Sequence, residues 1–286
     1  MTRSAPVGVG LTALAMAQER RIESRRADRL FEDPLAEAFV LAAAGTGDDS
    51  GVPGLGGDLG VGDLVPEMCG FVPLRTRYFD DQLRDAVRAD LRQIVILAAG
   101  LDGRAYRLDL PPDVSVFELD TPDLMAFKAP VVEAAGVRPN GPHSVIGVDL
   151  REDFGPALLS AGFEPAERTL WLVEGLLPYL RLADIDLLMA RVGGLSRAGS
   201  RMVTDEMTTG IDAMIGGRAE VAALTRVGAS WLSRIDDPVG WFASHGWKAR
   251  VADMDAFAAG LGRDRPPMLD ARDAMAAVWV AAAELG

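Results

Sequence analysis

The sequence predicts an α/β protein built on a doubly wound, largely parallel sheet. Two observations carry that prediction. From residue 93 onward, short β-rich runs alternate with amphipathic helical stretches in the rhythm of βαβ units. The residues that follow four of those runs are acids or glycines, the types expected where an open α/β sheet presents its carboxyl edge to a ligand. With 286 residues, 49% of them hydrophobic and 25% charged, the chain has the material for one substantial core and not the composition of disorder.

Arg3 is followed by an apolar stretch over 5–17, an outline shared with secretory signals. Gly8 and Gly10 interrupt it, and a helical pattern follows from Thr12, a plausible N-cap, through Leu14, Ala15 and Ile22. An amphipathic helix of the folded protein is the better reading. The first ninety residues are helical in pattern except over 45–70, where nine glycines and two prolines make either loop padding or a functional lid. Residues 75–90 then show an apolar stripe at Tyr78, Phe79, Leu83, Ala86 and Val87.

Strands are expected over 93–98, 114–119, 144–148, 169–173 and 201–204, with helices over 123–135, 154–161 and 182–195 between them. Thr121 before Pro122 reads as a cap followed by proline at the first helical position. Residues 207–237 break the alternation with helix-like pieces holding Met207, Met214, Trp231 and Arg234, a candidate cover over the site. A helix over 238–245, a strand over 247–252, a helix over 255–261 and a last strand over 274–283 complete the chain. The expected organisation is one domain: a helical cap over 1–90, a core over 91–206, a lid insert over 207–237 and the rest of the sheet over 238–286.

Charge and composition narrow the function. A net charge of −13 gives phosphate no long-range attraction, so nucleic acid is disfavoured, and no eighteen-residue apolar run suggests a membrane span. Cys69 is the lone cysteine and His143 and His245 are the only histidines, so no zinc constellation is expected and the chain fits a reducing compartment such as the cytoplasm. A small molecule is the expected partner. Gly100 lets backbone pass close beneath a ligand, and Asp120 follows by twenty residues, the separation at which an acid on a second strand reaches a ribose. Asp149 ends the third strand, where it could accept from an adenine amino group, and Leu101, Leu119 and Leu150 offer apolar surface to the ring. Ala98 stands where a dinucleotide fingerprint has its first glycine, so no pyrophosphate is implied. An adenosine-bearing cation such as S-adenosylmethionine suits the site. Each position also has a plainer reading: glycines after strands make turns, acids cap helices, Arg75 could pair with Asp80, Glu174 could cap a turn and Tyr179 could be a core aromatic.

The motifs Arg29-Leu-Phe-Glu-Asp-Pro-Leu35, Arg75-Thr-Arg-Tyr-Phe-Asp80, Ala98-Ala-Gly-Leu-Asp-Gly-Arg-Ala-Tyr-Arg-Leu108, Phe117-Glu-Leu-Asp120, Val148-Asp-Leu-Arg151 and Glu174-Gly-Leu-Leu-Pro-Tyr-Leu180, with Thr12-Ala-Leu14 ahead of them, resemble in order those of the bacterial branch of the leucine carboxyl methyltransferase family. The resemblance implies a class I methyltransferase sheet of order 3-2-1-4-5-7-6 with the last strand antiparallel, and S-adenosylmethionine as methyl donor. It further implies that Arg75 holds the methionine carboxylate, Gly100 lines the methionyl end, Asp120 meets the ribose, Asp149 and Leu150 meet the adenine, Glu174 meets the amino group, and Tyr179 lies near the transferred methyl. Gly103 departs from the threonine common in the family, and the segment over 45–70 is longer than usual. The expected activity is O-methylation of a small-molecule carboxylate or hydroxyl group. The expected acceptor pocket lies between Arg20, Arg21 and Arg25 on one side and Trp231 and Arg234 on the other. The alternative from another class is a catalytically silent S-adenosylmethionine-binding scaffold. A nicotinamide dehydrogenase lacks its glycine loop and Tyr-x-x-x-Lys pair here, and a serine hydrolase lacks its Gly-x-Ser-x-Gly elbow.

Overall fold

The computed structural model describes residues 9–44, 70–215, 229–269 and 276–286. Seven strands, β1 (Gln93–Leu97), β2 (Ser115–Asp120), β3 (His143–Gly147), β4 (Thr169–Val173), β5 (Arg201–Met207), β6 (Trp247–Val251) and β7 (Val278–Leu285), form one sheet of order β3-β2-β1-β4-β5-β7-β6. β7 runs antiparallel to β5 and β6, while β1 to β5 are parallel. The strand order reverses between β1 and β4, which opens the ligand crevice beyond their carboxyl ends.

β1 reads Gln-Ile-Val-Ile-Leu and is buried throughout, as a central parallel strand covered on both faces must be. Its side chains alternate. Ile94 and Ile96 join one face with Leu170, Leu172, Val203 and Leu83, while Val95 and Leu97 join the other with Phe117, Trp171 and Val173. A third cluster packs the amino-terminal helices onto the sheet layer. There α1 (Val9–Ser24) and α2 (Pro34–Ala44) bring Leu14, Ala17, Leu35 and Phe39 against Leu124 and Phe127 of the helix over 122–135. Within the stretch over 5–17, Leu14 and Ala17 belong to the folded core, and residues 5–8 lie outside the described residues. Among the described residues no helix is long and apolar enough to cross a membrane.

Several boundaries differ from expectation for physical reasons. α1 starts at Val9, so Thr12 lies inside the helix and is not its N-cap; buried Leu11 and Leu14 draw the first turn toward the core. α3 (Phe71–Arg88) starts four residues before Arg75, because Phe71, Val72 and Leu74 are buried and Pro73 in the first turn costs no helical hydrogen bond. After the short α4 (Arg104–Arg107), α5 (Pro122–Ala135) begins at Pro122 as expected, but Thr121 makes no side-chain cap. α6 (Gly155–Ser160) and α7 (Leu182–Gly194) lie where helices were expected. β5 runs to Met207 rather than Thr204, since pairing with β7 continues to the Met207–Val278 register. β7 accordingly begins at Val278 and not at 274. In the expected cover, α8 (Gly210–Ile215) is helical, 229–237 is extended or bent, and 216–228 lies outside the described residues, as does nearly all of the glycine-rich segment over 45–70. α9 (Pro238–Ser244) and α10 (Met254–Gly260) follow, each capped by the preceding aspartate, Asp237 or Asp253.

Candidate active site

The loops at the carboxyl edge enclose a cavity of about 490 Å³ lined by Arg75, Gly100, Asp120, Asp149, Leu150, Glu174 and Tyr179, the seven residues that the motif resemblance assigns to the site; Leu101 lines it too, whereas Leu119 is fully buried in the core and does not. The loop after β1 is strained. Ala98 and Gly100 both have left-handed backbones, at φ 52° and 50°, and an alanine held there costs about 1–2 kcal/mol. Such strain persists where the surroundings over-determine it, and here it presents the Gly100 N–H to the second strand. Asp120 at the end of β2 accepts from Gly100 N at 2.7 Å and from Thr121 N at 2.6 Å, one bond to each carboxylate oxygen. Each oxygen keeps a lone pair for a ligand. Burial pushes the Asp120 pKa up, against the pull of those two amide donors.

Asp149 lies nearer solvent, and Arg151 donates to it from its backbone N at 2.9 Å and its guanidinium at 2.5 Å; the Arg151 hydrogen bond holds its pKa below the ordinary carboxylate value. At the centre, Arg75 Nη1 donates to Asp205 Oδ2 at 2.8 Å and Arg75 Nε stands 3.0 Å from Glu174 Oε1. Among the described residues Nη2 meets only the Met16 sulfur, at 3.5 Å, so this buried donor edge remains available to an anionic group in the cavity. Gly175 is left-handed, and a Cβ there would come within 3.3 Å of Arg75 Nη1, so glycine leaves room for the guanidinium. Arg75 does not pair with Asp80.

Asp80 belongs instead to Arg104 (2.8 Å) and Arg107 (2.7 Å), and Arg104 continues to Asp102 (2.5 Å) and Glu174 (2.7 Å). Through Arg107, 4.0 Å from Asp33, and Arg20, 2.9 Å from Asp33, the ion network runs unbroken from α1 to β5. It joins five carboxylates, Asp33, Asp80, Asp102, Glu174 and Asp205, to four guanidiniums. Burial opposes the ionisation of Asp102, yet Arg104 outweighs it and brings the pKa down to about 2. Burial raises Asp205, offset in part by Arg75. Gly103 has a structural reason: a Cβ there would lie 2.8 Å from Asp33 Oδ1, inside contact distance of a carboxylate held by Arg20.

Asp205 is the member that the sequence reading missed. It follows directly on Thr204, where the strand was expected to end, so the rule applied to the first four strand ends would have found it at the fifth. It also accepts from Gly175 N at 2.7 Å, tying the β4 loop to β5. Beyond β5 the cavity is apolar, lined by Phe71, Met207, Trp231, Leu232, Met268 and Val278. Trp231, from the segment over 207–237, thus lines the cavity. Its segment is pinned by Leu232 N to Pro178 O at 2.6 Å and Ile235 N to Met207 O at 3.0 Å. Beneath it, fully buried Glu206 stands 3.0 Å from Ser233 Oγ and accepts from Met207 N at 2.7 Å. Burial pushes the Glu206 pKa up to about 7.

Other candidates lie elsewhere. Arg20 lines the cavity but is occupied by Asp33 and by Leu101 O at 2.7 Å. Arg25 pairs with Glu37, Arg21 donates to Gln18, and Arg234 pairs with Asp212; none of the three lines the cavity. His143 opens β3 at the opposite end of the sheet, 3.3 Å from Glu118, and His245 sits at the end of α9 beside Asp186.

A sheet of this order with a carboxyl-edge cavity is that of class I methyltransferases, and solved structures share the fold. A DUF574 family protein of Streptomyces avermitilis superposes over 100% of this chain and 99% of its own at a TM-score of 0.58 and 13% identity. A protein of Thermobifida fusca described as a putative methyltransferase does so over 75% and 81% at 0.51 and 14%. Residues 13–193 match the family model for leucine carboxyl methyltransferase. A "Putative S-adenosyl-L-methionine-dependent methyltransferase" of Parafrankia sp. (strain EAN1pec) is 40% identical over 91% of this chain and 83% of its own length, and one so named from Saccharopolyspora erythraea is 40% identical over 94% of both. The chain belongs to the leucine carboxyl methyltransferase family, and S-adenosylmethionine is its cofactor.

Proposed function

We propose that the protein transfers a methyl group to an oxygen of a small molecule, a carboxylate or a hydroxyl, in the cytoplasm. The observation that carries this reading is the convergence of seven residues from five chain segments on one cavity. Arg75 holds the methionine carboxylate through its spare Nη2 edge, and the planar guanidinium suits two oxygens. Gly100 lines the methionyl end without a Cβ, Asp120 accepts from the ribose hydroxyls, Asp149 and Leu150 meet the adenine, Glu174 accepts from the amino group, and Tyr179 borders the transferred methyl. When bound, the cofactor supplies a methyl group on a cationic sulfur. The protein's part is to orient the acceptor oxygen in line with that carbon and to exclude water, a positioning effect that reaches about 7–11 kcal/mol in favourable intramolecular models. A carboxylate acceptor is already ionised at neutral pH and needs orientation and partial desolvation, whereas a hydroxyl also needs a proton acceptor.

Calorimetry with S-adenosylmethionine, followed by labelled-methyl transfer to pooled small acids and phenols, tests the reading. Binding with transfer to an oxygen is the expected result. Binding without transfer to any acceptor would favour a silent scaffold, and absence of binding would remove both.

A further inference from the structure

We infer that the acceptor is an uncharged molecule with a flat apolar body, an aromatic alcohol rather than a carboxylate, seated beyond β5 against Phe71, Met207, Trp231, Met268 and Val278. This rests on the donor reading above, which assigns the β1–β3 end of the cavity to the adenosyl group and so leaves the β5–β7 end for the acceptor. The Met207–Val278 register brings the last residue of β5 and the first of β7 side by side, and Trp231 from the cover, Phe71 from the start of α3 and Met268 close around them. Phe71, Met207, Met268 and Val278 are 7% exposed or less and continue into the main hydrophobic cluster, so packed protein backs the wall. Trp231 is half-buried against the same cluster, which leaves part of its ring surface for a ligand.

Charge points the same way. The network between the two ends holds five carboxylates against four guanidiniums, which attracts a cationic sulfur and repels an anionic acceptor. Arg75, the cation at the boundary, is already set between Glu174 and Asp205. An aromatic body gains from burial on this wall, whereas a carboxylate would lose its hydration beside thioether, indole and phenyl groups. In the transfer the hydroxyl oxygen gains the methyl carbon, the electron pair of the broken carbon–sulfur bond stays on sulfur, and the hydroxyl proton passes to a network carboxylate. Asp205 is placed for that step, two residues before Met207 and therefore on the same face of β5.

The test is calorimetry on the full-length protein saturated with S-adenosylhomocysteine, using two probes that share one ring system: 2-naphthol, neutral at pH 7, and 2-naphthoate, an anion. The expected result is 2-naphthol binding at least about tenfold more tightly. Trp231→Ala is expected to weaken 2-naphthol by about tenfold or more while changing S-adenosylhomocysteine affinity by less than about twofold, which also shows that the variant is folded. Equal or tighter binding of 2-naphthoate, no binding of 2-naphthol to the loaded protein, or a Trp231→Ala variant that binds 2-naphthol as the parent does would each overturn the acceptor proposal alone. Failure of S-adenosylhomocysteine to bind would overturn the donor reading and the acceptor proposal with it.

Discussion

The two ends of the cavity are built by different means. At the β1–β3 end the cavity is lined by acids at or just past a strand end, Asp120 and Asp149, each held by backbone amides through turn geometry: Gly100 N and Thr121 N on Asp120, Arg151 N on Asp149. At the β5–β7 end the wall comes from residues as distant as Phe71, Trp231, Met268 and Val278, and side-chain packing positions them. The first construction depends on residues close to one another in sequence; the second depends on side chains brought together from distant segments.

Four substitutions break or sharpen the comparison. The largest effect is expected at the centre, which both ends share. Arg75→Ala leaves Asp205 and Glu174 facing each other without their common cation, and loss of one partner from a buried ion pair costs about 3–5 kcal/mol. Urea denaturation should show that loss, and Arg75→Lys should recover part of it. A variant as stable as the parent would mean that the two ends are independent.

The second concerns the cover. Glu206 titrates near 7 in the folded protein against 4.5 as its ordinary value, so the folded state binds the extra proton between those pH values. Its contribution is most favourable below about pH 4.5 and is lost as pH rises through 7, a swing of ~3 kcal/mol at 1.36 kcal/mol per pKa unit. Glu206→Gln should therefore flatten the stability profile over that window and stabilise the protein at pH 8. Asp102 works in the opposite sense: lowered to about 2, it contributes above its ordinary value of 3.8 and is lost as pH falls through 2. A Glu206→Gln profile identical to the parent's would refute the assignment.

The third is local to the β1–β3 end. Asp120→Ala should weaken S-adenosylhomocysteine binding by about 1–3 kcal/mol in calorimetry, by removing the acceptor for ribose donors, while 2-naphthol binding to the saturated protein stays near that of the parent. Unchanged cofactor affinity would argue against its role. The smallest effect is expected at Gly103, where alanine would press on Asp33 at 2.8 Å; a loss of about 1 kcal/mol is expected from overpacking, read as a lowered melting temperature.

How much of this was legible in the sequence follows the same division. The parallel strands, the helices after them and the acids at their ends have local signatures, and the glycine and acidic positions at the β1–β3 end needed only the rule for strand ends and the motif resemblance. Asp205 escaped because β5 is lengthened by its antiparallel partner, and pairing with a strand more than seventy residues away leaves no mark within the β5 run itself. Arg21, Arg25 and Arg234 were misplaced because a guanidinium's nearest acid decides where it points: Glu37 takes Arg21 and Arg25, and Asp212 takes Arg234, away from the cavity.

Hydrophobic period, glycines at left-handed turns and short motifs at strand ends determined the fold class, the family and the residues that line the β1–β3 end of the cavity, since each is set by neighbours within a few residues along the chain. The tertiary structure alone decided the ion network from α1 to β5 and the apolar wall beyond it. Charges find their partners, and apolar side chains their cavity, only when distant segments are brought within a few ångströms.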